Sequence, residues 1–123
     1  MSSTKARFVD KPWGHEEIFA VTDRYVGKIL FVRKGESLSL QFHERKEETL
    51  RVLDGVVEFL LGPDMEHLVP ETMTAGAVVH IAPGTLHRMT AVEDCNLLEV
   101  STTELDDVVR LEDRYGREGT SDP

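Results

Sequence analysis

Ser37-Leu38-Ser39-Leu40-Gln41-Phe42-His43 alternates polar and apolar side chains without a break. A strand turns successive side chains to opposite faces, so Leu38, Leu40 and Phe42 share one face. Ser37, Ser39, Gln41 and His43 share the other. The apolar face belongs to an interior. The polar face points either to solvent or into a polar cavity, and this strand taken alone favours solvent, as on most antiparallel sheets.

The flanking segments repeat the short-strand pattern. Tyr25–Lys34 is rich in β-branched and aromatic residues and stops at Gly35. Glu48–Leu53 runs into Asp54-Gly55, a strong hairpin turn, and Val56–Leu61 returns to close at Gly62-Pro63. Ala77–Ile81 follows Gly76, Leu86–Val92 follows Pro83-Gly84, and Asn96–Thr102 adds one more. Residues 1–7 and 116–123 read as frayed ends. Glu104–Tyr115 is the one stretch predicted to be helical, with acidic residues early and Arg114 late, as the helix dipole prefers. About eight short strands and one short C-terminal helix describe an all-β jelly roll.

The composition bounds the rest. The chain has 123 residues, 40% of them hydrophobic, enough for one domain spanning 1–123 with a core over about 11–117. Its formal charge is -9, which repels polyanions and argues against nucleic-acid or anionic-membrane partners. One cysteine, Cys95, permits neither an internal disulfide nor a cysteine-built zinc site. No apolar run approaches the roughly 18 residues of a membrane span. The N-terminal residues lack the apolar core of a secretory signal, so a cytoplasmic location is expected.

Four side chains carry the chemistry. Gln41 and His43 leave one strand on one face, Glu48 follows a charged bend, and His87 comes from a third strand. Two imidazoles, a carboxylate and an amide oxygen suit a divalent ion such as zinc, manganese, iron, cobalt or nickel, with positions left open for substrate. Glu47 competes with Glu48 through a one-residue shift, and the spacing favours Glu48. Lys28 shares a face with Leu30 and Val32 and reads either as inward or at a cavity edge, where it can bind a substrate oxygen or phosphate, or as a snorkelling surface lysine. Arg45 has the parity of His43 and reads equally as an anion anchor at the pocket mouth or as part of a solvated turn. His80 is a structural histidine or a proton shuttle, and Trp13 is a packing anchor.

Gly35, Gln41, His43, Glu48 and Gly55 also have the order and spacing of the first cupin motif, and Gly76, Gly84 and His87 those of the second. Gln41 replaces the usual first histidine, Ala82 the usual proline and Ala91 the usual asparagine. The strings KPWG (Lys11–Gly14), SLQFHERKEETLRVLDG (Ser39–Gly55), IAPGTLHR (Ile81–Arg88) and DDVVRLEDRYGR (Asp106–Arg117) narrow the likeness further. They resemble the C-terminal cupin domain of type II phosphomannose isomerases, without the guanylyltransferase domain that usually precedes it.

That resemblance implies a double-stranded β-helix and a metal held by Gln41, His43, Glu48 and His87. It also implies aldose–ketose isomerisation of a sugar or sugar phosphate. Lys28 and Glu99 are then candidate catalytic residues, Arg45 and Arg110 candidate substrate-binding residues, and a homodimer is expected. The same fold also hosts iron oxygenases and non-catalytic sugar-binding modules, so both stand as alternatives.

Overall fold

The computed structural model describes residues 4–119. Its strands in chain order are β1 (Arg7–Lys11), β2 (Gly14–Val21), β3 (Val26–Val32), β4 (Leu40–Phe42), β5 (Glu48–Asp54) and β6 (Val56–Gly62). They continue as β7 (Val69–Thr74), β8 (Val78–Ile81), β9 (Leu86–Ala91), β10 (Cys95–Ser101) and β11 (Val109–Glu112). Two antiparallel sheets result, one ordered β1-β2-β3-β10-β5-β8 and the other β11-β4-β9-β6-β7. The all-β expectation holds.

The inward rows of these strands change character along their length. Across β3 and β10, Val32 faces Cys95, Leu30 faces Leu97, and Lys28 faces Glu99. Across β9 and β6, Ala91 faces Val57, Met89 faces Phe59, and His87 faces Leu61. The apolar rows of both sheets meet in one cluster with Trp13, Leu50, Val52 and Ile81. Each fully buried side chain of this size contributes roughly 1.5–3 kcal/mol. The rows then end in Lys28, Glu99 and His87, so the same strands that fill the core leave a polar cavity beyond it.

Turn chemistry sets the registers that bring this about. Gly55 closes the β5–β6 hairpin at φ +83°, where a side chain is strained, and a Cβ there would lie 2.1 Å from the Asp94 carbonyl oxygen. Glycine is required on both counts. Asp54, beside it, accepts hydrogen bonds from the Asn96 backbone N–H and side-chain amide, tying the hairpin to β10.

Cys95 sits in the sealed end at 0% exposure. Burial, with Asp54 and Asp94 adding to it, pushes its thiol up to about 11. Only about one thiol in a thousand is then ionised at pH 8, and the thiolate is the reactive form. The folded protein is therefore expected to resist DTNB until denaturant is added. Rapid labelling of native protein would show instead that β10 opens.

In three places the structure departs from what the sequence pattern offered. The helix expected over Glu104–Tyr115 does not form: the stretch is an irregular connection leading into β11. A helix of that length is marginal in water, and the open edge of β4 takes the segment as a strand, pairing Val109 with Phe42 and Arg110 with Gln41. Second, the N-terminal stretch is a β1–β2 hairpin whose second strand pairs with β3 along most of its length. The expectation of frayed ends lies outside the described residues at 1–3 and 120–123. Within them, Arg7 pairs with Ile18, and the Gly119 N–H donates to the Arg110 carbonyl. Third, β7 was too polar to read as a strand; it is an exposed edge carrying Pro70, with Met73 its one buried side chain.

Candidate metal centre

The quoted alternation holds its register only over Leu40–Phe42. Ser37 touches Thr90 through an isolated bridge, and Leu38 and Ser39 lie outside any strand, so both reach the cavity wall. The polar face is not solvent-exposed: Ser37, Ser39 and His43 are buried. Gln41, half-buried, stands opposite His87 in the β4–β9 pair and lines the same cavity. Glu48 enters as the first residue of β5.

His43, Glu48 and His87 bring one ligand atom each to within 4.8 Å of one another, and all three are buried. Their backbone surroundings fix how the imidazoles are protonated. His43 Nδ1 lies 2.5 Å from the Asp107 carbonyl oxygen, and His87 Nδ1 lies 2.9 Å from that of Thr85. A carbonyl only accepts, so each Nδ1 carries the proton and each Nε2 keeps a bare lone pair. The two Nε2 atoms face Glu48, at 3.8 Å from Oε2 for His43 and 3.5 Å from Oε1 for His87. His87 Nε2 is buried and makes no hydrogen bond. An imidazole oriented through its far nitrogen, with the near one unused, is the arrangement a metal ligand needs.

Electrostatics favour the same protonation states. Burial holds both histidines below their ordinary value, against the pull of Glu48, and so keeps them neutral. Burial pushes Glu48 up, but the Lys46 ammonium and then the two imidazoles outweigh it and keep the carboxylate ionised. A dication meeting this set would find neutral imidazoles and one anion, with no proton to displace. The residues present therefore fit a divalent ion held by His43, Glu48 and His87, with the Gln41 amide beside them.

Beside the ligands lies a buried charge network. Lys46 Nζ is 3.0 Å from Glu48 Oε2 and 3.3 Å from Glu99 Oε2, and Lys28 Nζ is 3.3 Å from Glu16 Oε1. Burial opposes the Lys46 charge, but Glu99 and Glu48 more than offset it and hold the ammonium protonated. Glu99 goes the other way: burial first, then the Glu48 charge, raises its carboxyl above the usual range.

The sequence-predicted residues divide as follows. Lys28, Gln41, His43, Glu48, His87, Glu99 and Arg110 all line one cavity, with Trp13 packed into its wall. Arg45 does not reach it. The strand parity that assigned it inward ends at His43, and the bend over residues 44–47 turns Arg45 outward and Lys46 in. Glu47 is likewise outside, 2.5 Å from the exposed His80 on β8, which removes both from the site. Lys46 and Asp107 are the residues that sequence reasoning missed. For Lys46 the signal was its place two residues before Glu48, obscured by the bend; for Asp107 there was none.

Comparison with known proteins bears on this site. A family described as "Mannose-6-phosphate isomerase C-terminal" matches residues 2–113. The chain belongs to that family. Among curated members of longer build, mannose-1-phosphate guanylyltransferase 2 of Escherichia coli is 33% identical over 117 residues, covering 91% of this chain and 23% of the relative. The chain thus spans about a quarter of the length of the curated relatives it matches.

Two solved structures share the fold. The capsular polysaccharide assembling protein CapF of Staphylococcus aureus superposes with a TM-score of 0.74 at 17% identity, over 89% of this chain and 32% of that one. KdgF of Halomonas sp. gives 0.71 at 20% identity, over 82% and 91%. The jelly roll of these cupin-fold structures is the architecture seen here, and its polar end is where this chain gathers its buried charges.

Proposed function

We propose that this chain is a metal-dependent isomerase interconverting the aldose and ketose forms of a sugar phosphate, as the name of its family suggests. The observation that carries the reading is the convergence of two bare Nε2 atoms and one ionised carboxylate beside a buried Lys46–Glu99 pair. Gln41, His43, Glu48 and His87 would hold the ion, which when bound polarises the carbonyl and its neighbouring hydroxyl.

The chain's own groups supply the rest. Aldose–ketose exchange removes a proton from the carbon beside the carbonyl and returns one to the former carbonyl carbon, while the hydroxyl proton passes from the oxygen that becomes the carbonyl to the one that was, with no net oxidation. Glu99, whose carboxyl titrates above the usual range, and Lys28 opposite it on β3 are the groups proposed to carry that proton. Lys46 holds Glu48 and Glu99 in place between them. Lys11, Lys28, Arg110 and Arg117 also line the cavity, and Lys11 feels the charge of the other three. Lys28 pairs with Glu16 and Arg117 with Asp113, and a phosphorylated sugar is the substrate proposed for a cavity whose wall gathers these cations.

The reading predicts that protein loaded in turn with zinc, manganese, iron, cobalt and nickel interconverts mannose 6-phosphate and fructose 6-phosphate. In D2O, label should enter at the carbon that exchanges its proton. His43→Ala should abolish turnover, and free mannose should react far more slowly. Tight sugar-phosphate binding without turnover under every metal would instead identify a binding module.

A further inference from the structure

One residue of the β10–β11 connection touches the centre twice. The Asp107 carbonyl receives His43 Nδ1–H. Its carboxylate accepts three consecutive backbone N–H groups from the bend that follows His43: Glu44 at 3.1 Å on Oδ1, and Arg45 at 2.7 Å and Lys46 at 2.9 Å on Oδ2. Consecutive amides converging on one anion form a nest, a backbone concavity that a carboxylate can hold in place. This bend is the element that abandons strand parity and delivers Lys46 to Glu48 and Glu99.

We infer that Asp107 is a positioning residue for the metal centre, setting the His43 ring through its carbonyl and the Lys46 ammonium through its carboxylate. This rests on the metal-centre reading above and adds to it a residue that touches neither ligand atoms nor substrate. The coupling is physical. If the carboxylate is removed, three amides lose their acceptor and the bend is free to rotate. Lys46 then withdraws from Glu48, and the 102–108 connection, released from the bend, no longer holds its carbonyl under the His43 ring. Leu105, Val108 and Arg110, which belong to the same stretch of chain, line the cavity as well.

The test compares Asp107→Ala and Asp107→Asn with Asp54→Ala. Asp54 makes a comparable carboxylate clasp, to Asn96, at the hairpin far along β5 from the site. The first readout is cobalt affinity and the visible spectrum of the cobalt-loaded chain. Asp107→Ala should bind cobalt about 10–100-fold more weakly, the range for groups that orient ligands from behind, with an altered spectrum. Asp107→Asn, which keeps one acceptor of the same shape, should recover part of the loss, and Asp54→Ala should match the native chain despite similar thermal destabilisation.

The second readout needs no metal. Imidazole 15N shifts of the metal-free protein should report His43 as the Nδ1–H form in the native chain and in Asp54→Ala, and as a tautomer mixture in Asp107→Ala. If the native chain fails to bind cobalt, the metal reading falls, and the 15N shifts still decide Asp107. Native-like cobalt affinity and native-like His43 shifts in Asp107→Ala would overturn the inference, as would equal losses in Asp54→Ala.

Discussion

Lys46→Met is expected to cost the metal-free protein about 3–5 kcal/mol at pH 7, the range for removing one partner from a buried ion pair. Lys46, Glu48 and Glu99 are all about 5–6% exposed, so water cannot replace the missing cation. Methionine keeps the length of the side chain and removes only its charge. The loss should also depend on pH, and its sign follows from the carboxylates. Without Lys46, both glutamates titrate higher in the folded chain than the roughly 4.3 of an unfolded glutamate. The folded state then holds protons that the unfolded state releases. The deficit relative to the native chain is therefore smallest below about pH 4 and grows as the pH rises toward neutrality.

Urea denaturation of both proteins at several pH values measures this directly. Adding Glu99→Gln to Lys46→Met should restore much of the loss, because one of the two stranded charges is gone. A Lys46→Met chain as stable as the native one at pH 7 would mean that Lys46 compensates neither glutamate.

The second large effect is expected at His87. His87→Ala removes a neutral imidazole whose Nε2 is buried without a hydrogen bond, so the metal-free chain loses packing but no polar partner at that atom. What it should lose is the metal. Zinc affinity is expected to fall by more than the ~100-fold that marks the upper end for removing a supporting group behind a ligand. At zinc concentrations that reach about 100 times the native dissociation constant, the native chain gains about 2.7 kcal/mol from binding, and the variant should gain almost none. Thermal unfolding with and without zinc separates the two. His80→Ala, exposed on the outer side of β8, should behave as the native chain. Retention of the native zinc shift by His87→Ala would remove His87 from the ligand set.

Much of the site was readable before any coordinates. Gln41 and His43 face one cavity because the alternation holds at Leu40–Phe42, and His87 follows the Pro83-Gly84 turn onto the same wall. For Lys28 the face shared with Leu30 and Val32 left a cavity and a surface position both open, and the structure buries it in the cavity wall. Glu48 was separable from Glu47 by spacing alone, and the structure turns Glu47 out to His80. Arg45 and Lys46 could not be told apart in this way. Parity is a property of extended backbone, and residues 44–47 are a bend whose path is set by Asp107, 61 residues from Lys46 in sequence.

Two of the strands that went unread have a common cause. β7 and β11 carry few buried apolar residues, so no hydrophobic period marks them. They are strands because a neighbouring edge offers unpaired N–H and C=O groups. That offer is a feature of the assembled sheet, and no local pattern records it.

What the sequence determined was the polarity of β3, β9 and β10: apolar at one end of the inward row, charged or imidazole-bearing at the other, because side-chain alternation and hydrophobicity act residue by residue. What the tertiary structure alone decided was which charges meet. Lys46 with Glu99, and Asp107 with the amides of 44–46, are encounters between segments far apart in the chain. Their partners are chosen by where sheet pairing delivers each backbone, and that depends on all the strands at once.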